Sequence, residues 1–170
     1  MSGQDKMGSA KLWGGRFSTS TAASVEAFTA SIHYDSRLYR YDIAGSKAHA
    51  TMLADRGILS RQELVDILRG LTEIEREIDA GTFTFRRELE DIHMNIEKSL
   101  VERIGPAGAR LHSARSRNDQ IALDLKMYLR DQCDIIGELL AGVQKAFVVL
   151  ARQYLGGKGG AVFTFGVKGG

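Results

Sequence analysis

Between Arg117 and Tyr154 apolar residues return with the period of a helix, and they do so for longer than a globular helix usually lasts. Leu125, Leu129, Ile136, Leu140, Val143, Phe147, Leu150 and Tyr154 follow one another at spacings of three, four and seven, against a usual length of about 8 to 20 residues. Ile121, Tyr128, Ile135 and Leu139 widen the apolar face beyond a two-stranded seam. Such a helix needs several helical neighbours, so the expected fold class is mainly α, with a helical N-terminal domain leading into the first long helix of a bundle.

The chemistry gathers where that helix begins. Residues 111–120 read Leu-His-Ser-Ala-Arg-Ser-Arg-Asn-Asp-Gln. Ser116 stands three residues before Asp119, the capping-box spacing, which starts the helix at Arg117. Its first-turn N–H groups, flanked by Arg115 and Arg117, suit a carboxylate or phosphate, because free backbone donors, the helix dipole and guanidinium forks favour the same charge sign. A solvated basic turn capped by a serine reads the same way, and these ten residues alone do not separate the two.

Upstream, the pattern predicts scaffold. A helix runs from Asp35 or Ser36 to Arg56 and stops at Gly57, with Leu38, Tyr41, Gly45, Ala48, Met52 and Leu53 on its inner face and small residues where another helix can approach. His49 is expected at its core boundary. Ser60-Arg-Gln-Glu63 is a second capping box, followed by the stripe Leu64, Ile67, Leu68, Leu71, Ile74 and Ile78 and a stop at Gly81. Glu73, Glu75, Arg76, Glu77 and Asp79 are read as its solvated face. Thr82–Phe85 alternates like a short strand or extended link. Ile92, Ile96, Leu100 and Ile104 form the spine of a further helix ending at Gly105-Pro106, with His93 and Glu97 an ordinary surface pair at i,i+4. Ser31, His33 and Asp35 alternate with Ile32 and Tyr34, as in an extended connector with one face toward a site. Gly105–Arg110 is the most flexible internal stretch and the best candidate boundary.

Composition narrows the class. Hydrophobic residues make up 44% of the 170, enough for a core, and Lys plus Arg at 23 against Asp plus Glu at 21 leaves +2. A dedicated nucleic-acid binder would carry a concentrated basic face, so no nucleic-acid partner is expected. The single cysteine, Cys133, excludes an intrachain disulfide and a thiolate zinc cluster; a reducing, cytoplasmic setting fits. No run of about 18 apolar residues predicts a membrane span. Residues 1–10 read as a disordered lead without a secretory core, and Lys11–Phe17 as a packed arm with Trp13 against Gly14 and Gly15. Seven of the nineteen glycines fall in residues 156–170, and no acid follows Glu138. That shift is expected to mark a tail of frame-error, cloning or disordered origin rather than a nucleotide cradle.

Lys-Leu-Trp-Gly-Gly-Arg-Phe, Ala-Ser-Ile-x-Tyr-Asp, Gly-Ser-Lys-Ala, Gly-Thr-Phe, Glu-Asp-Ile-His and Leu-His-x-x-Arg-Ser-Arg-Asn-Asp-Gln, in this order from Lys11 to Tyr154, resemble the argininosuccinate lyase family of the fumarase/aspartase superfamily. The resemblance implies a mainly α-helical homotetramer with sites shared between subunits. It also implies reversible β-elimination of argininosuccinate to arginine and fumarate, with no metal or organic cofactor. Residue by residue, Ser31 and Asn118 match substrate-binding positions, Ser116 and Arg117 match the loop that holds the substrate's carboxylates, and Asp91 with His93 matches a site-proximal pair. Arg115 and Asp35 are weaker candidates, and His93 is at most an accessory to catalysis. By the same comparison residues 11–114 form the N-terminal domain, residues 115–154 the first long helix of the central domain, and residues 155–170 a tail foreign to the family.

Two later family segments, a Thr-His motif followed by Gln and Pro and a serine-rich mobile loop with Met-Pro and Lys, carry the proton-transfer residues. Pro106 is the only proline and lies in neither context, so the polypeptide is expected to be a truncated lyase chain, inactive by itself. A non-enzymatic structural use of the same fold, as in lens crystallins, is the alternative.

Overall fold

The computed structural model describes Val25 and residues 28–155. The first ten residues, the Lys11–Phe17 arm and the glycine-rich tail lie outside the described residues. Within them the chain is helical, with no strand. A short helix α1 (Ile32–Asp35) and a 3-10 turn, Ser36–Leu38, lead into α2 (Tyr39–Asp55). Then come α3 (Arg61–Asp79), a 3-10 turn at Arg87–Leu89, α4 (Ile92–Ile104), α5 (Pro106–Arg110) and α6 (Arg117–Leu155). No helix among the described residues is long and apolar enough to cross a membrane.

The helix ends follow the local chemistry. Gly57 and Gly81 adopt positive φ, and the N–H groups of Ile58 and Thr82 reach back to the carbonyls of Leu53 and Glu77, so each glycine releases the chain from a helix whose last carbonyls are satisfied. At the start of α3 the Ser60 Oγ accepts from the Glu63 N–H while the Glu63 carboxylate accepts from the Ser60 N–H. Leu64, Ile67, Leu71 and Ile74 are buried, and so are Ile43 and Leu53 of α2 and Ile92, Ile96 and Leu100 of α4. Burial of such a stripe stabilises by roughly 25 cal/mol per Å² of apolar surface. Small residues mark the close approaches. A Cβ at Gly70 would meet Leu100 Cδ1 at 2.6 Å, and one at Gly45 would meet Leu123 Cδ2 at 3.4 Å.

Several details differ from the sequence pattern. Residues 32–35 form a helical turn, not an extended connector, because the Ser31 and Ile32 N–H groups both donate to the Glu90 carbonyl at 2.9 Å and Asp35 N–H bonds back to Ser31. Ala48 and Met52 are exposed although they share the helical period of the inner face; the buried stripe of α2 runs through Asp42, Ser46 and Ala50. Thr82–Phe85 pairs with no strand and instead closes the end of α3. The acids of α3 are not all solvent-facing: Glu75 takes Lys47 at 2.7 Å, and both carboxylate oxygens of Glu77 take Arg103. Ion pairs of this kind bridge neighbouring helices. Within Gly105–Arg110, residues Pro106–Arg110 form α5, with Gly108 buried against the backbone of Val101.

Contacts divide the chain into two compact units, Met1–Met127 and Tyr128–Gly170. In the second, α6 continues to Leu155 with its apolar residues open to solvent, Leu139 at 66% and Phe147 at 68% exposure.

Candidate functional site

Two helix N-termini in the first unit carry the residues singled out by sequence. The first is that of α4. Asp91 caps it, its Oδ1 accepting from the Met94 N–H at 2.6 Å. Ahead of the cap, Glu90 has φ 67° and ψ −57°, and the Asp91 N–H donates to the Leu89 carbonyl two residues back. That is a γ-turn of the rare, strained hand, which persists only where its surroundings over-determine it. Here they do: the Glu90 carbonyl holds Ser31 and Ile32, and the buried Asn95 side chain bonds both the N–H and carbonyl of Arg86. Ser31 Oγ donates to Asp35 Oδ2 at 2.6 Å, and Asp35 Oδ1 accepts from the Ile92 N–H. Burial raises the Asp35 carboxyl above its ordinary value, against the Ser31 hydrogen bond that lowers it. Ser31, Asp35 and Asp91 therefore meet at one helix end.

The second is that of α6. Its first helical bond runs from Gln120 N–H to the Ser116 carbonyl, so the N–H groups of Arg117, Asn118 and Asp119 precede the helical ladder. Ser116 is the cap, as its spacing predicts, but its Oγ accepts from Asn118 N–H at 3.2 Å, one position earlier than the capping box requires. Ser116, Asn118 and Asp119 are exposed. The two arginines are held against the protein. Arg115 donates twice to Ser46 Oγ of α2, and Arg117 donates to Glu97 of α4 and to Gln120 Oε1. Burial lowers the affinity of Arg115 for its proton, with the field of Asp42 opposing.

What sequence reasoning missed lies beneath these two ends. His93 does not sit beside Glu97 on a surface. It is 2% exposed, and its Nε2 donates to Asp124 Oδ2 of α6 at 2.9 Å, while Glu97 engages Arg117. The reason is rotation about α4: the buried face spans Ile92, His93, Asn95 and Ile96, wider than the i,i+4 spine. Asp42 of α2, 1% exposed, completes the group and accepts from Gln120 Nε2. Donor atoms of Asp42, His93 and Asp124 lie within 4.8 Å of one another, the one grouping among the described residues with the chemistry of a metal site. The cavity bounded by Asp42, Ser46, His93, Glu97, Arg115 and Gln120 measures about 10 Å³, room for one water at most. A succinyl group does not fit there. The sequence signal was available: Asp42 and Ser46 lie on the period of Leu38 and Leu53, and Gln120 with Asp124 is an i,i+4 polar pair.

Charge in this cluster is tied to protons. Burial disfavours a charge on His93, but the Asp124 hydrogen bond and the fields of Asp42, Asp91 and Asp124 outweigh it and raise His93 above its ordinary 6.5. Burial likewise raises Asp42 above 3.8. Both groups bind a proton more tightly folded than unfolded. Their contribution is present below the unfolded value and is lost as pH rises through the folded one. Glu77 and Asp79, held low by Arg103 and by Tyr39 with Arg40, act in the opposite sense only in acid, and His112, held below its ordinary 6.5 by burial, opposes His93 and Asp42 from about neutral pH downward. The thermal midpoint is therefore expected to rise as pH falls from about 8.5 to about 7.5. Scanning calorimetry across that range checks it, and a midpoint that falls contradicts it.

A sequence-family profile described as lyase matches residues 15–155. The argininosuccinate lyase of Desulfotalea psychrophila is 67% identical over 148 residues, covering 87% of this chain and 32% of that protein. That of Moorella thermoacetica is 56% identical over 145 residues, covering 85% and 31%. That of Acinetobacter baumannii is 56% identical over 142 residues, covering 84% and 30%. The chain thus spans about a third of the length of the curated relatives it matches. With the profile matching across both helix ends and the whole of α6, the chain belongs to the lyase family.

Proposed function

We propose that this chain supplies the carboxylate-binding part of an argininosuccinate lyase site, in the cleavage of argininosuccinate to arginine and fumarate. The observation that carries the reading is the N-terminus of α6, where the Arg117, Asn118 and Asp119 N–H groups precede the helical ladder beside the exposed Ser116 and Asn118 side chains. Similarity at 67% identity to an argininosuccinate lyase supports the choice of substrate.

The chemistry suits the geometry. Removing a proton from the carbon next to a carboxylate builds negative charge on that carboxylate, and preorganised N–H and amide donors stabilise it. Asn118 and Ser116 bind it directly; Arg117, tied to Glu97, contributes charge and position. Ser31 with Asp35 and Asp91 at the end of α4 serves the rest of the substrate. Such catalysis needs no organic cofactor or metal. In the cytoplasm the protein acts as a homo-oligomer, a tetramer in the full-length family, because the apolar face of α6 from Leu129 to Leu155 is costly to leave in water.

Titration with succinate, followed by amide NMR, tests the site: saturable shifts are expected at Arg117, Asn118 and Asp119, reduced in Asn118→Ala. Shifts confined to other segments contradict it. Sedimentation equilibrium tests the assembly, with self-association expected and a stable monomer at micromolar concentration counting against it.

A further inference from the structure

The two α6 residues that are buried are Gln120 and Asp124, and both are polar. Its neighbouring apolar residues Ile121, Leu123 and Leu125 are substantially exposed. Beside the approach of Leu123 to Gly45, the first two turns of α6 are therefore tied to α2 and α4 by hydrogen bonds: Gln120 to Asp42 of α2, Asp124 to His93 of α4, and Arg117 to Glu97 of α4. Polar seating of this kind depends on charge state in a way that apolar packing does not.

Counting the charges identifies what completes the cluster. The groups facing His93 are Asp42 from α2, Asp91 at the cap of its own helix, Asp124 from α6, and Asp35 from α1 across the α4 end. Arg115, from the turn before α6, faces Asp42 and Asp124. Of these, Asp42 and Asp124 are fully buried, and one guanidinium leaves them a negative charge in excess. An imidazolium at His93 balances it. A divalent cation would overshoot the balance, would displace the His93–Asp124 and Gln120–Asp42 bonds, and has a cavity of only about 10 Å³ to occupy.

We propose that the positive charge of His93, with its Nε2–H on Asp124 and its field on Asp42, latches the first two turns of α6 to α2 and α4, making His93 and Asp124 positioning residues for the Ser116–Asp119 turn. Asp124 lies about two helical turns beyond Ser116, at 3.6 residues per turn, so a bond fixed there sets both the rotation and the tilt of the N–H groups at the helix end. Loss of the proton leaves two buried carboxylates against a single guanidinium. The bond to His93 weakens and the turn loosens. The latch stands on the buried cluster alone, whereas its effect on carboxylate binding rests on the proposed function.

Amide exchange of Asn118 and Gln120 in the full 170-residue chain tests it, measured from pH about 6 to about 9 beside the His93 ring resonances, after correction for intrinsic exchange. Protection is expected to fall at least about tenfold, with a midpoint that coincides with the His93 titration. His93→Gln keeps an N–H donor for Asp124 but cannot titrate, and removes the midpoint. Asp42→Asn keeps an acceptor for Gln120 and moves the midpoint to lower pH, which guards against a His93 variant that fails to fold. Flat protection while His93 titrates overturns the latch. So does a midpoint that survives His93→Gln, or a shift of the His93 resonances by micromolar Zn²⁺ that chelator reverses. Succinate titrations at both ends of the range separate the two readings. A latch transition without succinate shifts leaves the latch standing and removes the function; succinate shifts of equal size at both pH values leave the function standing and remove the latch's effect on carboxylate binding.

Discussion

The 170-residue polypeptide is expected to release no measurable fumarate from argininosuccinate. What its described residues offer the substrate is donors: the end of α6, Ser116 and Asn118. Elimination also needs a group that removes a proton and one that returns it to the leaving nitrogen, worth about 10² to 10⁴ in rate each. His93 is poorly placed for either task. It is 2% exposed, its Nε2 is taken by Asp124, and its Nδ1 faces Asp91 at 3.8 Å. His49 holds the Ser113 carbonyl and His112 lies against Glu97. The purified chain, followed by ultraviolet absorbance of fumarate, should match the buffer. Turnover near that of a full-length relative would contradict the proposal that this segment binds but does not transfer protons.

The second large effect is on stability. Asp124→Ala removes the one hydrogen bond to His93 Nε2 and leaves the ring buried beside Asp42 with its proton unshared. Breaking a buried pair from one side costs about 3–5 kcal/mol, because the surviving partner keeps its desolvation penalty. Against a total stability of roughly 5–15 kcal/mol that is a large fraction. Asp124→Asn retains an acceptor and should cost clearly less. Urea titrations of both variants decide the point: a loss under about 1 kcal/mol for Asp124→Ala would show the pair to be incidental.

These two expectations mark how far the sequence could be read. Helix positions were legible because they rest on local rules: Ser60 and Glu63 cap α3, Gly57 and Gly81 end helices, and the apolar period runs to Tyr154, one residue short of the end of α6 at Leu155. Which face of a helix is buried was less legible, since that depends on partners. Along α6 the apolar period drew attention to Leu125, yet within the first unit the buried positions are Gln120 and Asp124. In α2 the pattern favoured Ala48 and Met52, and the chain buries Asp42 and Ser46 instead. A polar residue on a core stripe is recognisable only when its partner is known, and the partners here are 31 residues apart for His93 and Asp124 and 78 for Asp42 and Gln120. The anion-binding turn was found because Ser116, Arg117 and Asn118 are adjacent in sequence. The inward fold of both arginines was not, because Glu97 and Ser46 come from other helices.

The most direct test of the central claim is a chimera. Residues 15–155 of this chain replace the matching third of the Desulfotalea psychrophila argininosuccinate lyase, and kcat/KM for argininosuccinate is measured with and without Asn118→Ala. Substantial turnover is predicted for the chimera, with a loss of about 10²-fold or more in the variant if Asn118 stabilises the developing charge. A chimera that folds and assembles but does not turn over, or one indifferent to Asn118→Ala, would contradict the assignment of the α6 N-terminus to the substrate's carboxylates.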